Sequence, residues 1–411
     1  MPGMRVGFLF NHDQIHQIGH SLPIAFALAL AAPDVEVVVA TTNERLREEV
    51  DRLSKIHGPT RVSFIDLRPT SLASRAAVQL LDWFLPAAKL SVYRDNLDFF
   101  QSLDALVVAE KTSIILKTRY GLSDLRLIHT RHGAGDRAIG FDKASARFDQ
   151  VLVSGPKIRK RLITDAGVNP EQLSMVGYPK FDLVPEVPRR LPFQSNGRPT
   201  VLYNPHVSPH LSSWYRHGRA VLDYFVDHPE YNLIFAPHVM LFERSFVLTI
   251  DKLRIDRPGL LARKYLEASN IFVDLGSSAS TDMSYTLAAD LYLGDVSSQV
   301  YEFLRTPRPC LFLNTHQVPF AGDPNYKHWQ AGQVISEPSE LGGALENAFD
   351  YHADYLRTQR RLFNESFDIN GISSSIRAAN AILRSLPAAR STAPDPVFDR
   401  TIAPEPIRQV A

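Results

Sequence analysis

Apolar residues in this chain gather in short, nearly unbroken runs separated by longer stretches of helical patterning. Residues 5–10 (RVGFLF), 35–41 (VEVVVAT), 61–67 (RVSFIDL), 104–110 (DALVVAE), 125–130 (LRLIHT), 150–155 (QVLVSG) and 173–178 (LSMVGY) are all of strand length. Several lack the apolar/polar alternation of a half-exposed strand, as expected of parallel strands covered on both faces. Helical segments intervene, among them 21–32 (SLPIAFALALAA) and 43–55 (NERLREEVDRLSK). Strand and helix alternating at these lengths predict a doubly wound parallel α/β sheet.

The pattern then starts again. Residues 185–199 (PEVPRRLPFQSNGRP) are polar and proline-rich and read as a linker. Strands follow at 200–205, 231–237, 270–275, 289–295 and 309–314, with a helix after 298 and closing helices at 350–367 and 373–386. The expectation is two Rossmann-like domains, 1–190 and 191–386, and a disordered tail over 387–411. Ligands of open α/β sheets bind beyond the carboxyl ends of the strands, so two such sheets imply a cleft between facing strand ends.

Composition narrows the class. The 411 residues suit two domains, and 45% hydrophobic with 22% charged residues is a globular balance. With 45 basic against 44 acidic residues the formal charge is +1, without the basic excess of a nucleic-acid binder. Cys310 is the only cysteine, which excludes an intramolecular disulfide and a cysteine metal cage and fits the cytoplasm. The start, MPGMRVGFLFNHD, lacks a signal-peptide core, and the longest apolar stretch, 23–33, is too short to span a membrane. Membrane contact is therefore expected to be peripheral, with 157–161 (KIRKR) either a solvated helix face or attracted to anionic lipid.

Candidate chemistry concentrates in the loops that follow strands. In 290–304 (DLYLGDVSSQVYEFL), Ser297 and Ser298 precede a helix, where hydroxyls and backbone N–H groups can hold phosphate or merely cap the helix, with Glu302 one turn on. A serine nucleophile is disfavoured, because Asp295, Val296, Gln299 and Val300 replace the small neighbours of a nucleophile elbow. His132 follows the strand 125–130 and can act as general base, with Arg131 and Arg137 available to phosphate. His238 follows another strand and can stabilise a leaving diphosphate. The pair His206 and His210 and the set His12, His16 and His20 lack a carboxylate at metal-site spacing, so no metal is expected. Gly19 and His20, beside His16, read as a substrate-side loop.

Together these loops resemble the CDP-glycerol glycerophosphotransferase family of teichoic acid and capsule polymerases. Its motifs W-H-G-T-x-x-K, G-Y-P-R-x-D, R-x-H-P and D-Y-S-S-x-x-x-D find counterparts, in order, in 130–137 (TRHGAGDR), 177–182 (GYPKFD), 236–240 (APHVM) and 295–302 (DVSSQVYE). Residues 200–209 (TVLYNPHVSP) look like the family's strand ending in Y-x-P-T. The resemblance implies a GT-B fold, an acceptor-binding first domain and a nucleotide-donor-binding second domain. It implies catalytic roles for His132 and His238 and donor contacts from Ser297, Ser298 and Glu302; Arg137, Asn204, His206 and Asp295 are further expected nucleotide or phosphate contacts. His16, Gly19, His20 and Lys180 then fall on the acceptor side.

Arg131, Ala134, Gly135, Arg137, Val239 and Glu302 depart from the family's residues, and 18–29 (IGHSLPIAFALA) is similar instead to the G-H-x-x-P loop of sugar-nucleotide GT-B enzymes. The expected activity is transfer of glycerol-phosphate from a nucleotide-activated donor to an envelope glycan or lipid-linked acceptor. A glycosyltransferase using a sugar nucleotide and an inactive nucleotide-binding protein are the alternatives. No tightly bound cofactor is expected; the nucleotide is substrate.

Overall fold

The structure is a computed structural model that describes residues 3–12, 15–58, 61–70, 87–131, 133–137, 140–184, 190–243, 246–249 and 254–386. The predicted runs become two all-parallel sheets. The first contains β1 (Arg5–Phe10), β2 (Glu36–Thr41), β3 (Val62–Asp66), β4 (Ala105–Val108), β5 (Arg126–Thr130), β6 (Gln150–Val153) and β7 (Leu173–Met175). Its strand order is β3-β2-β1-β4-β5-β6-β7. Every residue of β4 and β6 is buried, the burial that an unbroken apolar strand requires.

The second sheet repeats the plan. After β8 (Thr200–Asn204) and β9 (Asn232–Phe235) comes an antiparallel hairpin, β10 (Val247–Thr249) and β11 (Arg254–Asp256). Then follow β12 (Ile271–Val273), β13 (Leu291–Gly294), β14 (Cys310–Leu313) and β15 (Gln333–Ile335), in the order β12-β9-β8-β13-β14-β15. The hairpin and β15 were not expected; strands of three residues are too short to carry a period. In each sheet the order reverses beside its first strand, between β1 and β4 and between β8 and β13, which is where a doubly wound sheet opens its crevice.

One expected boundary is corrected. The helix Ser374–Ser385 was assigned to the second domain, yet Ala378, Ala379, Ala381, Ile382 and Leu386 pack in the core of the first. They lie against the helix Leu22–Ala31, whose buried residues are all apolar and nearly all belong to the same core. The chain thus crosses back after Ser366. Ser154 Oγ donates to the Ser366 carbonyl at 2.8 Å, and a Cβ on Gly155 would lie 2.5 Å from that same oxygen. Gly177 has φ +82°, and a Cβ there would stand 2.4 Å from Ser374 Oγ. Asp182 accepts from Ser373 Oγ and from the backbone N–H of Ser374 and Ser375, which fixes the start of the returning helix. Of the linker, 190–199 includes the short helix Pro192–Asn196, while 185–189 and the tail 387–411 lie outside the described residues.

Candidate active site

A cleft of about 650 Å³ opens between the facing strand ends. Its second-domain wall is built on Asn204 and Asp295, which terminate β8 and follow β13. The Asn204 amide donates to the Ala236 carbonyl at 2.7 Å and accepts from Tyr292 OH at 3.2 Å. The buried Asp295 carboxylate accepts from the N–H groups of His206 (2.9 Å), Ser213 (2.6 Å) and Val296 (2.6 Å), and from Ser213 Oγ (2.8 Å). Burial raises its pKa to about 6 against those donors. Both residues are thus occupied in joining strand ends and do not line the cleft, where donor contacts were expected of them.

The loops they hold present two imidazoles. His206 and His238 line the cleft with ring centroids 5.8 Å apart. His206 Nδ1 accepts from the Ser208 N–H at 2.9 Å, and His238 Nδ1 accepts from the Met240 N–H at 3.3 Å. A ring nitrogen that accepts carries no proton, so each neutral ring carries its proton on Nε2. Burial lowers the pKa of His206 well below the usual histidine value, helped by His238 and Arg137, and burial pushes His238 down to about 4. At neutral pH both imidazoles on the cleft wall are uncharged, with Arg137 lining the same cleft.

Ser297 and Ser298 complete this wall. Ser297 Oγ accepts from the Gln299 N–H at 3.3 Å and so serves as a local cap, while Ser298 is exposed. The helix that follows, Gln299–Phe303, has only five residues, which limits the dipole expected to hold phosphate. Gly133 and Gly135 of the opposite domain lie close to Ser298: a Cβ on either would fall 3.3 Å or less from it.

Glu302 points elsewhere. Its carboxylate is buried and accepts from Lys180 Nζ at 2.7 Å and from Tyr178 OH at 2.7 Å, both in the first domain. The expected ribose contact of Glu302 and the acceptor role of Lys180 are both replaced by this interdomain ion pair. The neighbouring residue repeats the arrangement in the other direction. Tyr301 OH donates to both oxygens of Asp136, at 2.8 and 2.7 Å, and Lys157 Nζ reaches the same carboxylate at 2.8 Å. His328 Nδ1 lies 2.9 Å from Asp136 Oδ2 and its Nε2 3.0 Å from the Asp295 carbonyl. Burial favours the neutral acid at Asp136, but Lys157 and His328 outweigh it and hold the carboxyl well below the usual range.

Other expectations are also revised. His20 is buried edge-on against Tyr178, with centroids 5.1 Å apart, and Gly19 packs near Leu183; neither lines the cleft. His16 lies in the short helix Ile15–His20, and its side chain is outside the described residues. His132 is also outside them, although its neighbours Arg131 and Gly133 line the cleft. Within 157–161, Lys157 is buried on Asp136 and Arg161 bonds the Asp136 carbonyl, so the segment is not a wholly solvated basic face. Among the described residues, no helix is long and apolar enough to cross a membrane, and no three His, Cys, Asp or Glu side chains are grouped as if to hold a metal ion.

Beside Arg131 and Arg137, the first-domain wall includes His12, which was considered only as a metal ligand, and three residues not expected there: Gln17 after β1, Glu110 after β4 and His129 in β5. Glu110 ends the apolar run 104–110, so a search of all strand-end loops would have reached it.

No family model and no curated protein matches the sequence. Among solved structures, the chain is similar to the wall teichoic acid polymerase TagF, with 13% identity, a TM-score of 0.61 and coverage of 94% of this chain and 90% of that one. It is also similar to the glycosyltransferase of kitacinnamycin (15% identity, TM-score 0.52, 94% and 100% covered). A third similarity is to the MnaA–UDP co-structure of S. aureus (13% identity, TM-score 0.56, 92% and 95% covered). At these identities the likeness is one of fold, and the fold is the GT-B arrangement of two facing Rossmann-like domains.

Proposed function

We propose that this protein is a transferase that moves a glycerol-phosphate or similar group from a nucleotide-activated donor to a hydroxyl of an envelope glycan or lipid-linked acceptor. The observation that carries the reading is the pair of uncharged imidazoles of His206 and His238, beside Arg137 and Ser298 at the β8/β13 crevice. That crevice is where a doubly wound sheet binds nucleotides. Uncharged imidazoles and the Arg137 guanidinium suit a diphosphate whose charge grows as the leaving group departs. Solved structures of similar fold include a teichoic acid polymerase soaked with CDPG and a complex with UDP, which supports a nucleotide donor here.

With CDP-glycerol, the acceptor oxygen attacks the β-phosphorus and CMP leaves. His238 and His206 donate to the diphosphate, Arg137 balances its charge, and the family resemblance gives proton removal to His132. With a sugar nucleotide, attack falls on the anomeric carbon and a nucleoside diphosphate leaves; the UDP complex of a similar fold supports testing this second route. Incubation with CDP-glycerol and with UDP-sugars separates the two, by release of CMP or of UDP. His238→Asn should weaken CMP or UDP binding by about 10-fold, the size of one lost hydrogen bond to a charged group. Binding unchanged in both His238→Asn and His206→Asn, measured by calorimetry, would remove the basis of the reading. Binding without any turnover would favour an inactive nucleotide-binding protein. Peripheral contact with an anionic membrane belongs to the same proposal and is tested by vesicle sedimentation.

A further inference from the structure

We propose that Glu110 is the general base that takes the proton from the acceptor hydroxyl. The assignment rests on the transferase reading above and gives to Glu110 the step that the resemblance gives to His132.

Glu110 stands two residues beyond β4, the strand at which the order of the first sheet reverses, and it lines the cleft on the wall facing His206 and His238. Four donors fix its carboxylate: Tyr93 OH, Thr112 N–H, Thr112 Oγ1 and the Ser113 N–H at 3.2 Å. Part of its surface remains open to the cleft. Each oxygen carries two donors, which fix the carboxylate on the cleft wall, and the rotatable hydroxyls of Tyr93 and Thr112 are the donors that give way when a proton is taken up. Burial raises its pKa to about 7, against the hydrogen bonds from Tyr93, Thr112 and Ser113 and against the charge of Lys89, which lines the same cleft. A base in that range is about half ionised at neutral pH and basic enough to remove a proton as the acceptor oxygen becomes nucleophilic. The competing structural role is that of a carboxylate capping the short helix Thr112–Ile114.

The step balances without a further reactant. The acceptor O–H bond breaks and its proton passes to a Glu110 carboxylate oxygen. The acceptor oxygen bonds the β-phosphorus of the donor, or the anomeric carbon of a sugar nucleotide. The bond from that centre to the leaving oxygen breaks, and its electron pair departs with the nucleotide.

The test measures wild type, Glu110→Gln, Glu110→Asp and His132→Gln with CDP-glycerol and with UDP-N-acetylglucosamine, following nucleotide release from pH 5 to 9. CMP and UDP binding and thermal midpoints are measured in parallel. Glu110→Gln is expected to lower turnover about 100-fold or more, the usual contribution of a general base, with nucleotide binding within about two-fold of wild type. Glu110→Asp should restore part of the rate, and the acid limb of the wild-type profile should fall near pH 7. A Glu110→Gln rate within about three-fold of wild type, or loss confined to His132→Gln, overturns the assignment and leaves the transferase reading standing. A loss of rate that tracks a loss of thermal stability in both Glu110 variants assigns the residue to capping and also overturns it. If both variants fail to fold, a wild-type profile without an acid limb between about pH 6 and 8 overturns it instead. If wild type neither binds nor turns over either nucleotide, the transferase reading falls and takes this assignment with it.

Discussion

At the residue scale, the buried imidazole of His238 makes stability depend on pH. The folded pKa of His238 lies at about 4, below its unfolded value. A depressed group contributes stability that is present above its unfolded pKa and lost as pH falls toward its folded one. Wild type should therefore lose stability between about pH 6.5 and 4, and His238→Gln should flatten that slope in urea titrations at stepped pH. An unchanged slope would show that His238 is not held neutral. Gly177 makes a second residue-scale claim. Its positive φ and the 2.4 Å approach of Ser374 Oγ leave no room for a side chain, so Gly177→Ala should cost about 2 kcal/mol or more, read from the urea midpoint. The segment 177–182 was conspicuous in the sequence, but its residues serve the chain crossing and the domain interface. The letters G-Y-P-K-F-D alone cannot reveal that, because the partners of Tyr178, Lys180 and Asp182 lie 122 or more residues away in sequence.

At the scale of elements, the five-residue helix Gln299–Phe303 does two jobs. Its start carries the cleft serines, and its body sends Tyr301 and Glu302 into the first domain. Removing one partner of a buried ion pair strands the other, so Lys180→Met should destabilise the protein by about 3–5 kcal/mol. Lys180→Met combined with Glu302→Leu should recover much of that loss, since no charge is then buried alone. Chemical denaturation of both variants checks this, and equal losses would mean that packing, not charge, sets the cost. Helix position was legible here from Ser297 and Ser298 preceding an apolar face. The direction of Glu302 was not: spacing of one turn places it on a helix face, and only the second domain's docking decides what that face meets.

At the scale of the whole molecule, Asp136 ties the halves together. Its folded pKa is depressed, so the stability it contributes is present above the usual carboxylate pKa and lost as pH falls below that value and through the lower folded one. Asp136→Asn at neutral pH should leave Lys157 without its partner and cost about 3–5 kcal/mol. It should also separate unfolding into two calorimetric transitions, one for each domain, where wild type shows one. A single transition at an unchanged midpoint would count against a buried clamp. The exposed pair Arg45–Glu243, at 2.8 Å, also bridges the domains, but an exposed pair contributes at most about 1 kcal/mol.

The sequence by itself determined the two parallel sheets and nearly every strand, because burial on both faces demands continuous apolar runs that are visible one residue after another. It also brought His238, His206, Arg137 and the serines to notice, since ligands gather where strands end. Only the tertiary structure decided that the last helix returns to the first domain and that Lys180 and Glu302 neutralise each other. The same holds for Asn204 and Asp295 bracing the cleft from behind and for Glu110 facing it. Local patterning records whether a side chain must be buried or charged. Which distant group satisfies that charge depends on how the two domains dock, and docking is written in no single stretch of the chain.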